Sequence, residues 1–450
     1  MKLDIILITV PKVDHNGPYA GPYILKTSLK RAGFSCKVFD FNRDLYNKVP
    51  REDMWVQTGC VSFAEEDIFN NMWDEFLEDI SLGWIKKIKD EDPEWLGISL
   101  LSWNSDLFIK KFLPLVRKQI PKVKIIVGGT RAGNGGGEIL KERGLVDHYI
   151  SGPGEIAIVE LLKGNTAYPG IDSKKYKMVN INHIDVADYS DIEFTDYKYF
   201  FSHLSWGCIN HCGFCSEANY KKGFQSRNPE NTIKEMNQIN AMFGVNNFLL
   251  SDSLINGIKK DFLKFIKLMK GNSYTFGGHY LINDWMTEKD FKNASESGLG
   301  YISVGIETGC ERIRKEMGKN ITNKMIFNTL EYCSKYNISV IVLMIIGWPT
   351  ETEEDFQETL EFVTKIQKYK CVKPIRAGVP LILAPTSPAT KTYNVKFDKN
   401  GDWYNDLSNY EHRMDQWNRF IEHCSKEGEV NTEHKTRLYL KSKKIKKYNI

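Results

Sequence analysis

Cys208, Cys212 and Cys215 stand close together in the stretch FSHLSWGCINHCGFCSE, Phe201 to Glu217, with Phe214 just before the third. Their spacing is Cys-x3-Cys-x2-Cys. Thiolates are soft ligands that suit iron–sulfur clusters or zinc. Thiolates from one such loop can hold three irons of a [4Fe-4S] cube, which leaves the fourth iron open to a small molecule. The plainer alternative is a structural zinc knot, with His211 completing a Cys3His set. Adjacent ligands at His211 and Cys212 would be cramped on one tetrahedral ion.

The elements around this loop carry a regular pattern. Strand signals at Phe200–Trp206, Asn247–Ser251, Ser273–Ile282, Tyr301–Ile306, Ser339–Ile346 and Ile375–Leu383 alternate with helix signals at Pro229–Phe243, Lys260–Met269, Glu288–Ser297, Lys324–Tyr336 and Asp355–Lys368. Parallel strands joined by helices curl into a barrel, and chemistry gathers at the carboxyl ends of the strands. The polar and glycine clusters fall at those ends: the cysteine loop, Ser251 and Asp252, GIETG from Gly305 to Gly309, GWPTET from Gly347, and APTSP. Cys310 follows GIETG and reads as a small buried hydrophobe. Arg312 and Arg314 read as surface charges of the following turn.

Residues 1 to about 165 alternate in the same way and predict a doubly wound, Rossmann-like parallel sheet. Strands are expected at Leu3–Val10, Cys36–Phe41, Leu96–Leu101, Val123–Val127 and His148–Ile150. Helices are expected at Tyr19–Ala32, Asp106–Gln119, Gly137–Arg143 and Glu155–Leu162. Glycines follow the last two strands: Gly128 and Gly129 in GGTRAGNGGGE, and Gly152 and Gly154 in SGPGE. Glycine lets a backbone approach a bulky ligand closely. An insertion over 43–94 is rich in acids and aromatics and reads as helices with a satellite core. Residues 166–199 read as a connector between domains. Residues 391–450 read as helical, with Trp403, Tyr410, Trp417 and Phe420 on a packing face over the barrel mouth.

A chain of 450 residues exceeds one ordinary core, and 42% apolar with 26% charged residues is a soluble globular composition. A net charge of +4 gives no global pointer to nucleic acid. The basic run KSKKIKKYNI, Lys441 to Ile450, reads as a solvated end. Ile338–Ile346, the longest apolar run, is too short to span a bilayer. The start MKLDIILITVP reads as a first strand, not a leader. Nine cysteines without a paired framework point to the reducing cytoplasm.

The cysteine loop, with an aromatic before its third cysteine, resembles the radical S-adenosylmethionine (radical SAM) superfamily. The strand and helix order of residues 200–390 is similar to that family's partial (β/α)6 barrel of TIM type. GPYILKTSLKRAGFSCKVFDFN, WLGISLLSW, KIIVGGT and VDHYISGPGEIAIVELL resemble the cobalamin-binding domain that precedes many of its members. The resemblance implies a [4Fe-4S] cluster on Cys208, Cys212 and Cys215, with Phe214 beside it, and S-adenosylmethionine on the open iron. It places Gly305, Glu307 and Thr308 at the ribose and amino acid part, Ser251 and Asp252 at the ammonium, and Gly347, Trp348 and Pro349 near the adenine. An arginine is frequent at strand three in the family, whereas this chain has His279 and Tyr280. Cobalamin would lie over Gly128, Gly129, Gly152 and Gly154. The family's Asp-x-His-x-x-Gly loop is replaced by VDHNGPYAG, which argues against His15 as an axial cobalt ligand.

The chemistry so implied is reductive cleavage of S-adenosylmethionine to methionine and a 5′-deoxyadenosyl radical, then methyl transfer from methylcobalamin to an unactivated carbon of an organic substrate. An electron donor such as flavodoxin or ferredoxin is implied as partner. Without cobalamin, hydrogen abstraction would drive rearrangement, cyclisation or oxidation. A methylthiolating enzyme acting on transfer RNA would carry three further cysteines in its amino domain, where this chain has Cys36 and Cys60. The alternative of another class is a zinc-stabilised nucleic-acid binder using the basic tail.

Overall fold

A computed structural model describes residues 2–427 apart from 12, 56–60, 195, 216–222, 386 and 400. The expectations for Cys60 and for the basic tail lie outside the described residues. Backbone contacts divide the chain into two units, one running to Phe201 and one starting at Ser202.

In the first unit β1 (Ile5–Thr9), β2 (Cys36–Asp40), β3 (Trp95–Ser99), β4 (Lys124–Gly128) and β5 (His148–Tyr149) form a parallel sheet in the order β2-β1-β3-β4-β5. Every residue of β1, Ile-Ile-Leu-Ile-Thr, is buried, the pattern of a strand covered on both faces. The order reverses between β1 and β3. The crevice beyond the carboxyl ends of those strands is where doubly wound sheets take ligands.

The insertion corrects one expectation. Phe63, Phe69, Trp73 and Trp84 are no satellite: they share one cluster with Ile6, Ile8, Leu96 and Phe108, under the sheet itself. Helix Glu78–Asp90 supplies the crossover from β2 to β3. A π turn at Trp73–Leu77 widens the helical period, so Phe69, Met72, Trp73 and Leu77 all reach the buried face.

Residues 166–199, expected as a connector, fall within the first unit. Their acids clasp helix Ala20–Arg31: Asp191 meets the buried Lys26 at 2.6 Å, Asp188 meets Lys30 at 2.8 Å and Asp185 meets Arg31 at 2.8 Å. Tyr197 donates to Asp40 at 2.8 Å.

A second sheet holds six strands in sequential order: β6 (Phe200–Ser202), β9 (Asn247–Leu250), β10 (Thr275–His279), β11 (Leu299–Glu307), β12 (Ser339–Met344) and β13 (Val372–Arg376). The pairs from β9 to β13 are parallel. The strands follow one another in sequence across the sheet, the order expected of a partial (β/α)6 barrel, with β6 and β13 at the edges. Capping boxes start helices Glu288–Glu296 (Thr287 with Asp290) and Glu353–Ile366 (Thr352 with Asp355).

The expected first strand, Phe200–Trp206, breaks after Ser202. Ser205–Trp206 (β7) instead pairs antiparallel with Gln225–Ser226 (β8) at the base of the cysteine loop. The sixth strand was expected at Ile375–Leu383 but ends at Arg376. Leu381 and Leu383 turn into a cluster with Trp348 and Trp403, so their apolar run serves loop packing and not a ladder. The carboxyl region is also less helical than expected. A hairpin of β14 (Lys396–Phe397) and β15 (Trp403–Tyr404) precedes helix Tyr410–Glu427. Trp403, Trp417 and Phe420 are buried, whereas Tyr410 is half-buried.

Candidate cluster and nucleotide site

The cysteine loop leaves β7 through Gly207, whose φ of +79° only glycine adopts easily. A side chain there would also meet the carbonyl of Gly223. Cys208, Cys212 and Cys215 are all free thiols, Cys212 buried and the other two half-buried. The Cys215 amide donates to the Cys212 carbonyl at 3.1 Å, closing the turn between them. Gly213 anchors it on both sides: its amide donates to Met317 O, and its carbonyl accepts from the Ala389 amide, both at 3.0 Å. Phe214 meets Trp348 edge to face, with centroids 6.4 Å apart. Burial pushes the Cys212 thiol up to about 11, against the pull of Lys319. A coordinated metal would deprotonate it outright. Among the described residues no three His, Cys, Asp or Glu side chains are gathered about a single-ion site. His211 is exposed and Cys212 buried, so these neighbours do not share one face of the loop as a zinc knot requires.

Beside the loop sits an ion pair that sequence reading caught only in part. Lys319 Nζ lies 2.5 Å from Glu307 Oε1 and 2.6 Å from the Gly305 carbonyl. Both side chains are largely buried. Glu307 has φ +69°, a left-handed conformation that costs a non-glycine residue about 1–3 kcal/mol and gathers at functional sites. It falls on a register shift between β11 and β12, which turns its carboxylate out of the ladder. Gly305 makes the room: a β-carbon there would lie 2.1 Å from Glu307 Oε1 and 2.5 Å from Lys319 Nζ. Gly318 links the pair to the cysteines, because a β-carbon on it would come within 3.6 Å of the Cys212 α-carbon. The missed signal was the lysine three residues beyond the end of a short helix, Glu311–Glu316.

Other expected contacts fare unevenly. Ser251 is exposed at the end of β9, its hydroxyl 3.3 Å from the Ser202 carbonyl. Asp252 is buried, and its oxygens accept from the Leu204 amide at 2.9 and 3.0 Å and from Ser205 Oγ at 2.7 Å. It therefore clamps the chain leading into the cysteine loop instead of facing a ligand ammonium. Thr308 is fully buried, its hydroxyl 2.8 Å from that of Thr359, which removes its side chain from any nucleotide contact. Gly347 and Pro349 are buried in the turn after β12. The Gly347 amide donates to Glu351, and Pro349 O accepts from Asn405. Tyr280 is core, packed against Phe262 and Phe291, while His279 is exposed at the end of β10. Cys310 is buried with its thiol 3.1 Å from Asp355, and burial pushes it up to about 12.

Asp252 gives a pH prediction. Burial outweighs its hydrogen bonds and raises its pKa to about 7. The unfolded carboxyl loses its proton near pH 4, so between about pH 4 and pH 7 the native state holds a proton that the unfolded state lacks. Stability from this group is then complete below about pH 4 and falls as pH rises to about 7, by about 4 kcal/mol in all. Asp252→Asn is expected to remove that decline, which melting temperatures of both proteins across this range would check.

In the first unit the glycines divide. Gly128 ends β4 and Gly129 follows it, and Gly129, exposed with φ +96°, comes so near Leu100 that a β-carbon would lie 2.7 Å from its carbonyl. Trp103, at the carboxyl end of β3, is 41% exposed. Gly152 is exposed after β5, at φ +74°. Gly154 begins a helix and packs on Leu25, a structural place. His15 stacks on Tyr46 at 3.8 Å between centroids.

An open parallel α/β sheet with three free thiols and a buried carboxylate–ammonium pair beside them has the donor set for a thiolate-held metal cluster next to a charged small molecule. Residues 204–363 match the family model of the Radical SAM superfamily, so the chain carries a radical SAM domain. It is 24% identical over 331 residues to an uncharacterized methyltransferase of Pyrococcus horikoshii, covering 68% of this chain and 72% of that one. A ribosomal protein uS12 methylthiotransferase of Pseudothermotoga lettingae is 27% identical over 172 residues, 35% of this chain and 40% of its own length. Among solved structures, the methyltransferase TsrM of Kitasatospora setae, with cobalamin and [4Fe-4S] cluster bound, matches with TM-score 0.64 at 13% identity, over 86% of this chain and 77% of that chain. The cobalamin-dependent enzyme OxsB, with aqua-cobalamin bound, matches with TM-score 0.68 at 14% identity, over 97% of this chain and 70% of that chain. At these identities the likeness is one of fold. Among the described residues no helix is long and apolar enough to cross a membrane.

Proposed function

We propose that the chain cleaves S-adenosylmethionine at a cluster on Cys208, Cys212 and Cys215 and, with cobalamin on its first unit, methylates an unactivated carbon of an organic substrate. The observation that carries this reading is the three-thiol loop packed through Gly318 against the Glu307–Lys319 pair. When bound, the cluster supplies the electron that splits the sulfonium and cobalamin carries the methyl group. The residues of the chain bind and orient. Glu307 and Lys319 offer one charge of each sign, the match for a zwitterionic amino acid. Gly305 leaves room for the pair, Ser251 offers a hydroxyl, and the turn from Gly347 to Pro349 carries Trp348, which meets Phe214 edge to face as an apolar side. On the first unit the exposed backbone at Gly129 admits a bulky cofactor, Gly152 gives its space to the Tyr176 ring, and Trp103 offers a flat apolar face at the switch point. The electron donor on this reading is a flavodoxin or ferredoxin.

Methylthio transfer, named for several relatives, is the second reading. It asks for further thiolates in the first unit, where Cys36 is buried and pushed up to about 12. That disfavours Cys36 as a ligand.

The test is anaerobic reconstitution with iron, sulfide and a corrinoid, then incubation with reductant and methyl-deuterated S-adenosylmethionine. The reading expects bound corrinoid, 5′-deoxyadenosine and label in a product. 5′-Deoxyadenosine without corrinoid binding would leave a cobalamin-independent radical enzyme. Gly305→Ala gives a sharper local prediction. Only flexible side-chain ends crowd its β-carbon, so the sheet and the iron content are expected to survive while the pair is displaced. Binding of S-adenosylmethionine, read by equilibrium dialysis, should weaken about 10–100-fold, the range for losing a supporting contact.

A further inference from the structure

Arg314 was expected on a surface turn, but it is 0% exposed. Among the described residues it makes no ion pair; its hydrogen bonds all go to neutral oxygens, and the guanidinium lies over the Phe362 ring, 5.7 Å from its centroid. Nη2 and Nε donate to the Thr308 carbonyl at 2.6 and 3.2 Å, Nη1 to the Ile321 carbonyl at 3.0 Å, and Nη2 to Asn323 Oδ1 at 3.0 Å. A buried charge without a counter-charge is costly, and an apolar residue would fill helix Glu311–Glu316 more cheaply. The bonds have a definite layout. Thr308 directly follows Glu307, and Ile321 and Asn323 lie just beyond Lys319. Gly309 lets this turn settle on helix Glu353–Ile366, since a β-carbon there would lie 2.4 Å from Phe362.

We infer that Arg314 is a positioning residue, a cross-brace that joins the two shoulders of the loop and so holds Glu307 and Lys319 at the spacing a zwitterionic ligand needs. It makes no hydrogen bond to the cluster thiols or to the pair, and it acts through the segments on either side of it, at Thr308, Ile321 and Asn323. The inference rests on the reading of that pair as the S-adenosylmethionine site. Its consequence is a split between two properties that a general loss of structure would lower together: ligand affinity falls while cluster content stays.

The test uses the full chain, reconstituted anaerobically, as wild type, Arg314→Met and Arg314→Lys. Iron per chain is measured, then S-adenosylmethionine affinity by equilibrium dialysis, then the electron paramagnetic resonance signal of the reduced cluster with and without S-adenosylmethionine. Arg314→Met is expected to keep its iron, to bind about 10–100-fold more weakly, and to need correspondingly more ligand to change the signal. Arg314→Lys should fall between, because one ammonium reaches one shoulder of the loop and not both. Wild-type affinity in Arg314→Met, or iron lost in parallel with affinity, overturns the inference. Should Arg314→Met fail to fold, Arg314→Lys decides on the same criteria. A wild-type signal indifferent to S-adenosylmethionine would instead remove the underlying reading, so the two failures are distinct.

Discussion

Cys212→Ala is expected to abolish 5′-deoxyadenosine formation while the protein stays folded. Of the three thiols Cys212 is the buried one, lying against Gly318 and so nearest the Glu307–Lys319 pair. Two remaining thiolates cannot hold three irons of a cube, and cluster loss removes the electron source. The drop should exceed about 100-fold, the upper end of what removing a merely supporting partner costs. Folding should survive because the loop is fixed by main-chain bonds at Gly213 and by the Phe214–Trp348 contact, none of which uses the sulfur. Iron assay and product chromatography on the reconstituted variant check this, with circular dichroism for the fold. Retained iron with full turnover would exclude Cys212 as a ligand.

Lys319→Met carries the second large effect. It leaves the Glu307 carboxylate buried beside the cysteine loop without its cation. Breaking a buried pair on one side costs about 3–5 kcal/mol, far more than an exposed pair is worth. Glu307 also bears the strain of its left-handed backbone, so the site has little reserve. Urea denaturation should show the loss, and ligand binding should fall with it. The double variant Glu307→Gln/Lys319→Met should recover most of the stability and none of the binding, the signature of a pair kept for its ligand and not for the fold. An unchanged urea midpoint in Lys319→Met would mean that the pair contributes nothing to stability.

The strands of both units were legible because strands covered on two faces read as unbroken apolar runs, as in β1. The limits of that signal show in the sixth strand, where Leu381 and Leu383 are apolar for the sake of Trp348 and Trp403 and not of a ladder. The cysteine loop was legible because its chemistry depends on spacing within one short stretch. Lys319 and Arg314 were not. Charges on a helix as short as Glu311–Glu316 have no period long enough to separate a buried face from a wet one. The clasp of residues 166–199 was hidden for a different reason: its acids answer bases more than 150 residues earlier, as Lys26 with Asp188 and Asp191. Asp252 and Thr308 were placed near the right strand ends, but their side chains went to backbone and core partners that no linear pattern reveals.

Electron paramagnetic resonance of the anaerobically reduced protein, with and without S-adenosylmethionine carrying a labelled amino nitrogen, tests the central claim most directly. An iron left free by Cys208, Cys212 and Cys215 predicts a cluster signal that changes shape on addition and acquires hyperfine coupling to the label. A signal that ignores the nucleotide, or a colourless protein holding zinc, would contradict it.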